Sequence, residues 1–231
     1  MMKRFYKTVE TAAAEGGFTL TLDGKPVCTP AKLPLIVPTQ ALADAMAAEW
    51  AAQGDEVKPA TMPLTQLAST SIDGVRDRLD AVAEASAVYG ESELVCYRAV
   101  EPDELIQRQA SLWNPLLDWA ARRYDAHLLV TSGIMHKPQP ADALKALRAA
   151  VDQLDEWHLT ALQNAIGITG SLLVSLALVD RHVSAEQAFE LAQLDENYQI
   201  EKWGEDWEAA DRRAVQRADL AHTVRFLDLL R

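Results

Sequence analysis

The sequence has 231 residues, enough for one large domain or two small ones. Apolar residues make up 49% and charged residues 24%, which excludes an intrinsically disordered chain. The formal net charge of −12 is repelled by phosphate backbones and anionic lipid, so the chain is expected to bind neither nucleic acid nor membrane; a basic protein or a cation suits it better. Cys28 and Cys96 lie far apart, without C-x-x-C or zinc spacing, and read as free thiols of a reducing compartment.

In chain order, Phe18, Leu20 and Leu22 alternate with Thr19, Thr21 and Asp23, the period of a half-buried strand. Asp23-Gly24 predicts a hairpin turn, and Lys25 to Thr29 the returning strand, with Pro26 marking an edge. Phe5 and Val9 suggest an earlier strand, and Leu35-Ile36-Val37 is short and β-prone. A helix capped by Thr39 follows, with Leu42, Met46 and Trp50 on one face and Gly54 at its end. Met62-Pro63 predicts a connection with a helix starting after it.

Beyond Met62, strand signal is confined to Val95–Tyr97 and His127–Val130. Leu105, Gln109, Leu112, Trp113, Leu116, Leu117 and Ala120 form a helical stripe that Pro115 should kink or break. Pro138 and Pro140 introduce a helix running toward Trp157. The apolar run from Ile166 to Val179 is shorter than the ~20 residues a bilayer requires, and reads as a buried core helix after Gly170. Ser184 with Gln187 forms a capping box, and the stretch from Asp206 to Leu230 is again helical. The expected fold class is α+β, with a small β-rich domain over 1–60 and a larger helical domain over 61–231. Trp50, Trp113 and Trp119 are expected in the core, the first two by periodicity; Trp203 and Trp207 suit either core or interface.

Chemistry is sparse. There is no P-loop, no G-x-G-x-x-G after a strand, no H-E-x-x-H and no G-x-S-x-G. No two histidines fall at i, i+4, so no metal and no cofactor is expected. Cys96 lacks an identifiable base and reads as a small buried residue. Carboxylates are plentiful enough to leave open a small hydrolase working through a carboxylate pair, which the sequence does not select.

From Ser184 to Asp211 nine acidic residues face one basic residue, Lys202, and the tail that follows is rich in arginine. Acids early and bases late complement a helix dipole, which accounts for many of these charges. Taken as one continuous helix at ~100° per residue, Ala188, Phe189, Ala192 and Trp203 point one way, flanked by Leu191 and Tyr198. Glu190, Gln193, Asn197 and Glu201 point the other way, whereas Asp195, Glu196 and Gln199 fall within the apolar arc. A carboxylate there is either paired with an arginine of the helical part or kept for a partner's cation.

Several strings, in order, resemble the ATP synthase assembly chaperone family that acts on the alpha subunit of the catalytic head. They are Leu22-Asp23-Gly24-Lys25 with Thr29-Pro30; Glu49-Trp50 with Gln53; Met62-Pro63-Leu64-Thr65; Leu94 to Ala99; Leu105, Gln109, Trp113, Pro115-Leu116-Leu117 and Trp119; Gly170 to Leu173; and Asp195-Glu196, Gln199 and Trp203-Gly204-Glu205. Each is weak alone; their order across nearly the whole chain is specific. The resemblance implies a chaperone rather than an enzyme, without cofactor or nucleotide, that acts as a monomer and holds an unassembled alpha subunit until the beta subunit replaces it. Its partner-binding position maps to Glu196, with Asp195, Gln199 and Trp203 beside it. Met1 to Glu10 has neither a secretory nor a transit pattern, so the resemblance implies a bacterial cytoplasmic member, or a processed mitochondrial matrix form.

Overall fold

The structure, a computed structural model, describes residues 2–133 and 135–231. The fold is α+β, as expected, and it divides into two compact units. The first comprises Met1–Leu79 with Glu156–Ala161 and His222–Arg231; the second comprises Asp80–Asp155 with Leu162–Ala221. The units follow contacts, so two later helical segments join the first unit.

The first unit opens with β1 (Met2–Lys3), β2 (Val9–Ala14), β3 (Gly17–Leu22) and β4 (Lys25–Pro26). Strands β2, β3 and β4 form an antiparallel meander with β4 at the edge, where Pro26 costs no ladder bond. Asp23 and Gly24, with φ of 48° and 77°, make the tight turn. The Asp23 carboxylate also accepts the N–H groups of Lys7 and Thr8 at 3.0 and 2.8 Å, which holds it below the usual carboxylate range. Val37 exchanges backbone hydrogen bonds with Phe18, and it comes so close that a Cβ on Gly17 would lie 2.2 Å from the Val37 carbonyl oxygen. That approach requires glycine.

Helix α1 (Gln40–Ala51) lies against β2 and β3 through Leu42, Ala43, Met46 and Trp50. Thr39 caps it, accepting the Leu42 N–H at 3.2 Å. It stops at Ala51 with Ala52 as its C-cap, so Gly54 does not terminate it. Strand β5 (Glu56–Val57) returns to pair with β1. Helix α2 (Pro63–Thr70) begins on Pro63, as predicted, and its N-cap residue offers no side-chain bond. Glu49 supplies that bond from α1: its carboxylate accepts Leu64 N at 2.8 Å, Thr65 N at 2.9 Å and Thr65 Oγ1 at 2.7 Å. In the two later segments of this unit, Trp157 and Phe226 are buried with ring centroids 6.3 Å apart.

The second unit is mainly helical. In chain order it holds α3 (Leu79–Ala87), β6 (Tyr97–Arg98), α4 (Asp103–Tyr124), β7 (Thr131–Ser132), α5 (Ala141–Asp152), α6 (Glu156–Thr169) and α7 (Leu172–Val179). The first residue of α3 and the first six residues of α6, Glu156–Ala161, belong to the other unit. The two strands pair in parallel, slightly C-terminal to where the sequence places them. Pro115 does not break α4, which runs on for 22 residues. One proline removes one i→i−4 bond, and the buried Trp113, Leu116, Trp119 and Ala120 hold the helix on either side of it. Leu112, assigned to the stripe, is exposed instead. The helix expected from Pro140 toward Trp157 is two helices, α5 and the start of α6.

Leu172 to Leu178 of α7 are all buried, as an apolar run of this length predicts. Ser171 caps α7 by accepting the Val174 N–H at 3.0 Å. Behind it sits Glu93, fully buried, whose carboxylate takes the Ser171 hydroxyl and the Leu173 N–H, the latter at 3.0 Å. Burial pushes the Glu93 carboxyl up, and the hydrogen bonds it accepts oppose that rise.

Two outcomes follow. Glu49→Ala should cost about 1–2 kcal/mol in urea unfolding, because it strips α2 of its cap. For Glu93 the folded chain binds more protons than the unfolded one above the ordinary carboxylate value of about 4.3, so wild-type stability falls as pH rises through that window. Melting curves taken from pH 4 to 7 should therefore show wild type losing stability relative to Glu93→Gln, which does not titrate.

Candidate functional site

The acidic segment is not one helix. The predicted capping box is present: Ser184 Oγ accepts Gln187 N at 3.2 Å, and Gln187 Oε1 accepts Ser184 N at 2.9 Å. It opens α8 (Ala185–Ala192), which ends at Gln193; α9 (Leu194–Trp203) then restarts. The break resets the helical phase, so the single arc read from sequence does not carry through to Trp203. Ala188, Phe189 and Leu191 are buried in α8; in α9 the buried residues are Leu194 and Tyr198.

Helix α9 is fastened to α4 along that inner side. Gln109, itself buried, donates from Nε2 to Asp195 Oδ1 at 2.7 Å and accepts the Ala99 N–H through Oε1 at 2.8 Å. Arg98 stands close enough to feel the Asp195 charge, stacks 5.1 Å from the Trp113 ring centroid and donates to Asn114. A turn and a half on, Arg108 grips Glu201 with two bonds of 2.7 and 2.8 Å, which lowers the Glu201 carboxyl and raises the Arg108 guanidinium. Lys202 donates to Glu104 at 2.8 Å, and the Tyr198 hydroxyl reaches the same oxygen at 3.3 Å. Glu201 is exposed, as expected, and also pairs with a residue 93 positions away, beyond the reach of any local pattern.

Turning ~100° per residue from Leu194, Glu196, Gln199 and Trp203 fall on the side of α9 opposite Leu194 and Tyr198. Of the residues assigned to partner binding, these three look outward and Asp195 looks inward to Gln109. Gln199 is exposed, and Trp203 is 77% exposed. This corrects the expectation that Gln199 lies in an apolar arc, and it decides Trp203 for the surface. The Glu196 side chain retains 40% exposure, with Arg212 and Arg213 nitrogens each 3.9 Å from a carboxylate oxygen. Those contacts are long, and Arg213 is otherwise engaged: it bonds Gln193 and Asn197, pairs with Glu205 at 3.0 Å and lies over the Phe189 ring.

Gly204 ends α9 with φ 86° and ψ 165°, a conformation open to glycine alone among ordinary residues. The turn it makes leads into α10 (Trp207–Leu229), whose first residue, Trp207, is 72% exposed. Two tryptophans thus stand in solvent around one glycine turn. Trp50, Trp113 and Trp119 are buried, as periodicity predicts, and Trp113 donates its indole N–H to the Leu191 carbonyl at 2.9 Å. Cys96 is fully buried, and burial pushes its thiol up to about 12.

Residues 3–121 match the family described as ATP12 chaperone protein. The chain belongs to that family. It is the assembly chaperone family whose ordered strings the sequence carries. The Atp12 of Paracoccus denitrificans is 40% identical, with a TM-score of 0.95 covering 100% of this chain and 99% of that one. A protein of Agrobacterium tumefaciens is 42% identical, with a TM-score of 0.94 covering 99% of this chain and 86% of that one. The mitochondrial protein atp12 of Schizosaccharomyces pombe is 24% identical over 235 residues, covering 96% of this chain and 79% of its own. ATP12 relatives are thus found in bacteria and in a mitochondrion. Among the described residues, no helix of this ATP12 chain is long and apolar enough to cross a membrane.

Gln109 holds both Asp195 and the Ala99 N–H, so Gln109→Ala should leave two half-buried groups unmet. A loss of about 1–3 kcal/mol in urea unfolding is the expected result, with Asn114→Ala as a milder comparison.

Proposed function

We propose that this ATP12 chaperone serves assembly of the catalytic head of F-type ATP synthase by holding the unassembled alpha subunit, and that the outer face of α9 makes the contact. The observation that carries the reading is the grouping of Glu196, Gln199 and Trp203 on one helix face, with Gln199 and Trp203 exposed, Glu196 met, among the described residues, only by the arginine contacts of 3.9 Å, and Trp207 exposed just beyond the Gly204 turn. Tryptophan is a preferred anchor of protein interfaces, and large exposed apolar rings on a soluble chain cost solubility unless something covers them. Glu196 supplies a carboxylate beside them that arginines of its own chain hold only at 3.9 Å. A partner bringing a lysine or arginine next to an apolar residue would meet both requirements.

A ring subunit exposes its interfaces before its neighbours arrive, and a binder at sufficient concentration keeps those surfaces from aggregating. Release then needs no chemical step, because the beta subunit offers a larger interface for the same surface. On this reading the protein works as a monomer, without catalysis or cofactor, in the bacterial cytoplasm, or in the mitochondrial matrix for a processed eukaryotic chain.

Light scattering from heat-stressed, isolated alpha subunit is the test. Wild type should suppress the scattering and Glu196→Lys should not, while its own unfolding free energy stays within about 0.5 kcal/mol of wild type. Trp203→Ala should weaken binding by about 2 kcal/mol or more. Full suppression by both variants would remove this face from the contact.

A further inference from the structure

The Glu196 carboxylate is approached by two guanidinium groups and closed by neither. Arg212 Nη2 stands 3.9 Å from Oε1, and Arg213 Nη1 stands 3.9 Å from Oε2. Both distances exceed a hydrogen bond, which between these groups would be about 2.7–2.9 Å. Further along the same helix Arg108 makes the closed form of this contact, one guanidinium reaching both oxygens of Glu201 at 2.7 and 2.8 Å.

The two arginines differ in what else holds them. Arg213 keeps only 11% side-chain exposure and is fixed: Gln193, Asn197 and Glu205 accept from its nitrogens, and its guanidinium covers the Phe189 ring. Its charge is already answered by Glu205 at 3.0 Å. Arg212 keeps 64% side-chain exposure, and among the described residues it meets no carboxylate but Glu196. A long, solvated side chain with one loose ionic contact swings aside at little cost. Once it does, a half-exposed carboxylate with both oxygens available stands on the same outward face as Gln199 and Trp203.

We propose that in the free chaperone Arg212 occupies the place that an arginine of the client takes on Glu196, so that it is an internal competitor displaced on binding. The inference rests on the reading of the outer face of α9 as the alpha-subunit contact, and adds to it the chemistry of the client group and a brake on its entry. Arginine is the occupant because a single planar fork sets one N–H on each carboxylate oxygen, whereas the chain's own two arginines reach one oxygen each and only at long range. A lysine ammonium is a point charge that does not span both oxygens and holds its water more tightly. The exposed indole of Trp203 on the same face also suits a guanidinium better than an ammonium. The exchange is balanced in charge: one guanidinium enters as another returns to solvent.

The test measures the affinity of isolated alpha subunit for wild type, Arg212→Ala, Glu196→Gln and the double variant, with melting curves showing each chain folded. Arg212→Ala should bind about two- to fivefold more tightly, the effect of removing one surface ion pair. In the Glu196→Gln background the same change should do nothing, because no carboxylate is there to be released. Arg122→Ala, at an exposed position on α4, removes the same charge elsewhere and should leave the affinity unchanged. At matched ionic strength, N-acetylargininamide should release bound alpha subunit at a lower concentration than N-acetyllysinamide. Unchanged or weaker binding by Arg212→Ala, an equal gain from Arg122→Ala, a gain that survives in the double variant, or equal potency of the two amides overturns the inference. Each of these leaves the alpha-subunit reading standing so long as wild type retains the subunit. Retention by none of the chains overturns that reading itself and takes the inference with it.

Discussion

The hydrogen bond from Gln109 to Asp195 sets the orientation on which the candidate interface depends. A ten-residue helix such as α9 has too few buried apolar residues to fix its own rotation: Leu194 and Tyr198 are the ones it buries. The amide of Gln109, held in turn by the Ala99 N–H, selects which carboxylate of the Asp195-Glu196 pair turns inward. With Leu194 and Tyr198 buried and Asp195 tied at the edge of that side, helical geometry puts Glu196 and Trp203 opposite the buried pair. The ion pairs from Arg108 to Glu201 and from Lys202 to Glu104 lie on the surface, where such pairs contribute little each. Their value is to hold the last turn of α9 in the same register that the buried bond establishes.

Carboxylates fill a second role twice, once in each unit. Glu49 closes the start of α2 and Glu93 closes the start of α7, both from elements earlier in the chain. Glu49 stands in for a missing local cap and Glu93 backs the local cap that Ser171 provides, so helix formation and tertiary packing are coupled at both places. The Glu93 carboxylate does this with no access to water, at a cost that its several donors offset only in part.

The sequence made the regular elements readable wherever one residue's neighbours decide its conformation. The period-two strand at Phe18–Leu22, the Asp23-Gly24 turn, the Thr39 and Ser184 caps and the apolar run of α7 were all legible, because a turn, a cap or a buried face is a local demand. The phase of α9 was not. Nothing in Ala192-Gln193-Leu194 announces a helix break, since none of these is glycine or proline, and a single residue of irregular backbone there rotates everything downstream. The inward role of Asp195, the anchoring of Glu201 and the caps from Glu49 and Glu93 depend on partners 15 to 93 residues away, which periodicity cannot see. Pro115 misled for the opposite reason: its local preference is real, but the packing of Trp113 and Leu116 outweighs one missing bond.

The placement of the six tryptophans divides the intrinsic fluorescence of the chain into two populations. Trp50, Trp113, Trp119 and Trp157 are shielded, and Trp203 and Trp207 meet solvent on either side of a glycine turn. Emission at the red end of the spectrum therefore comes mainly from two fluorophores four residues apart, and a water-borne quencher such as acrylamide reaches them first. The molecule carries its own optical reporter at the junction of α9 and α10, so any macromolecule that settles there announces itself without a label.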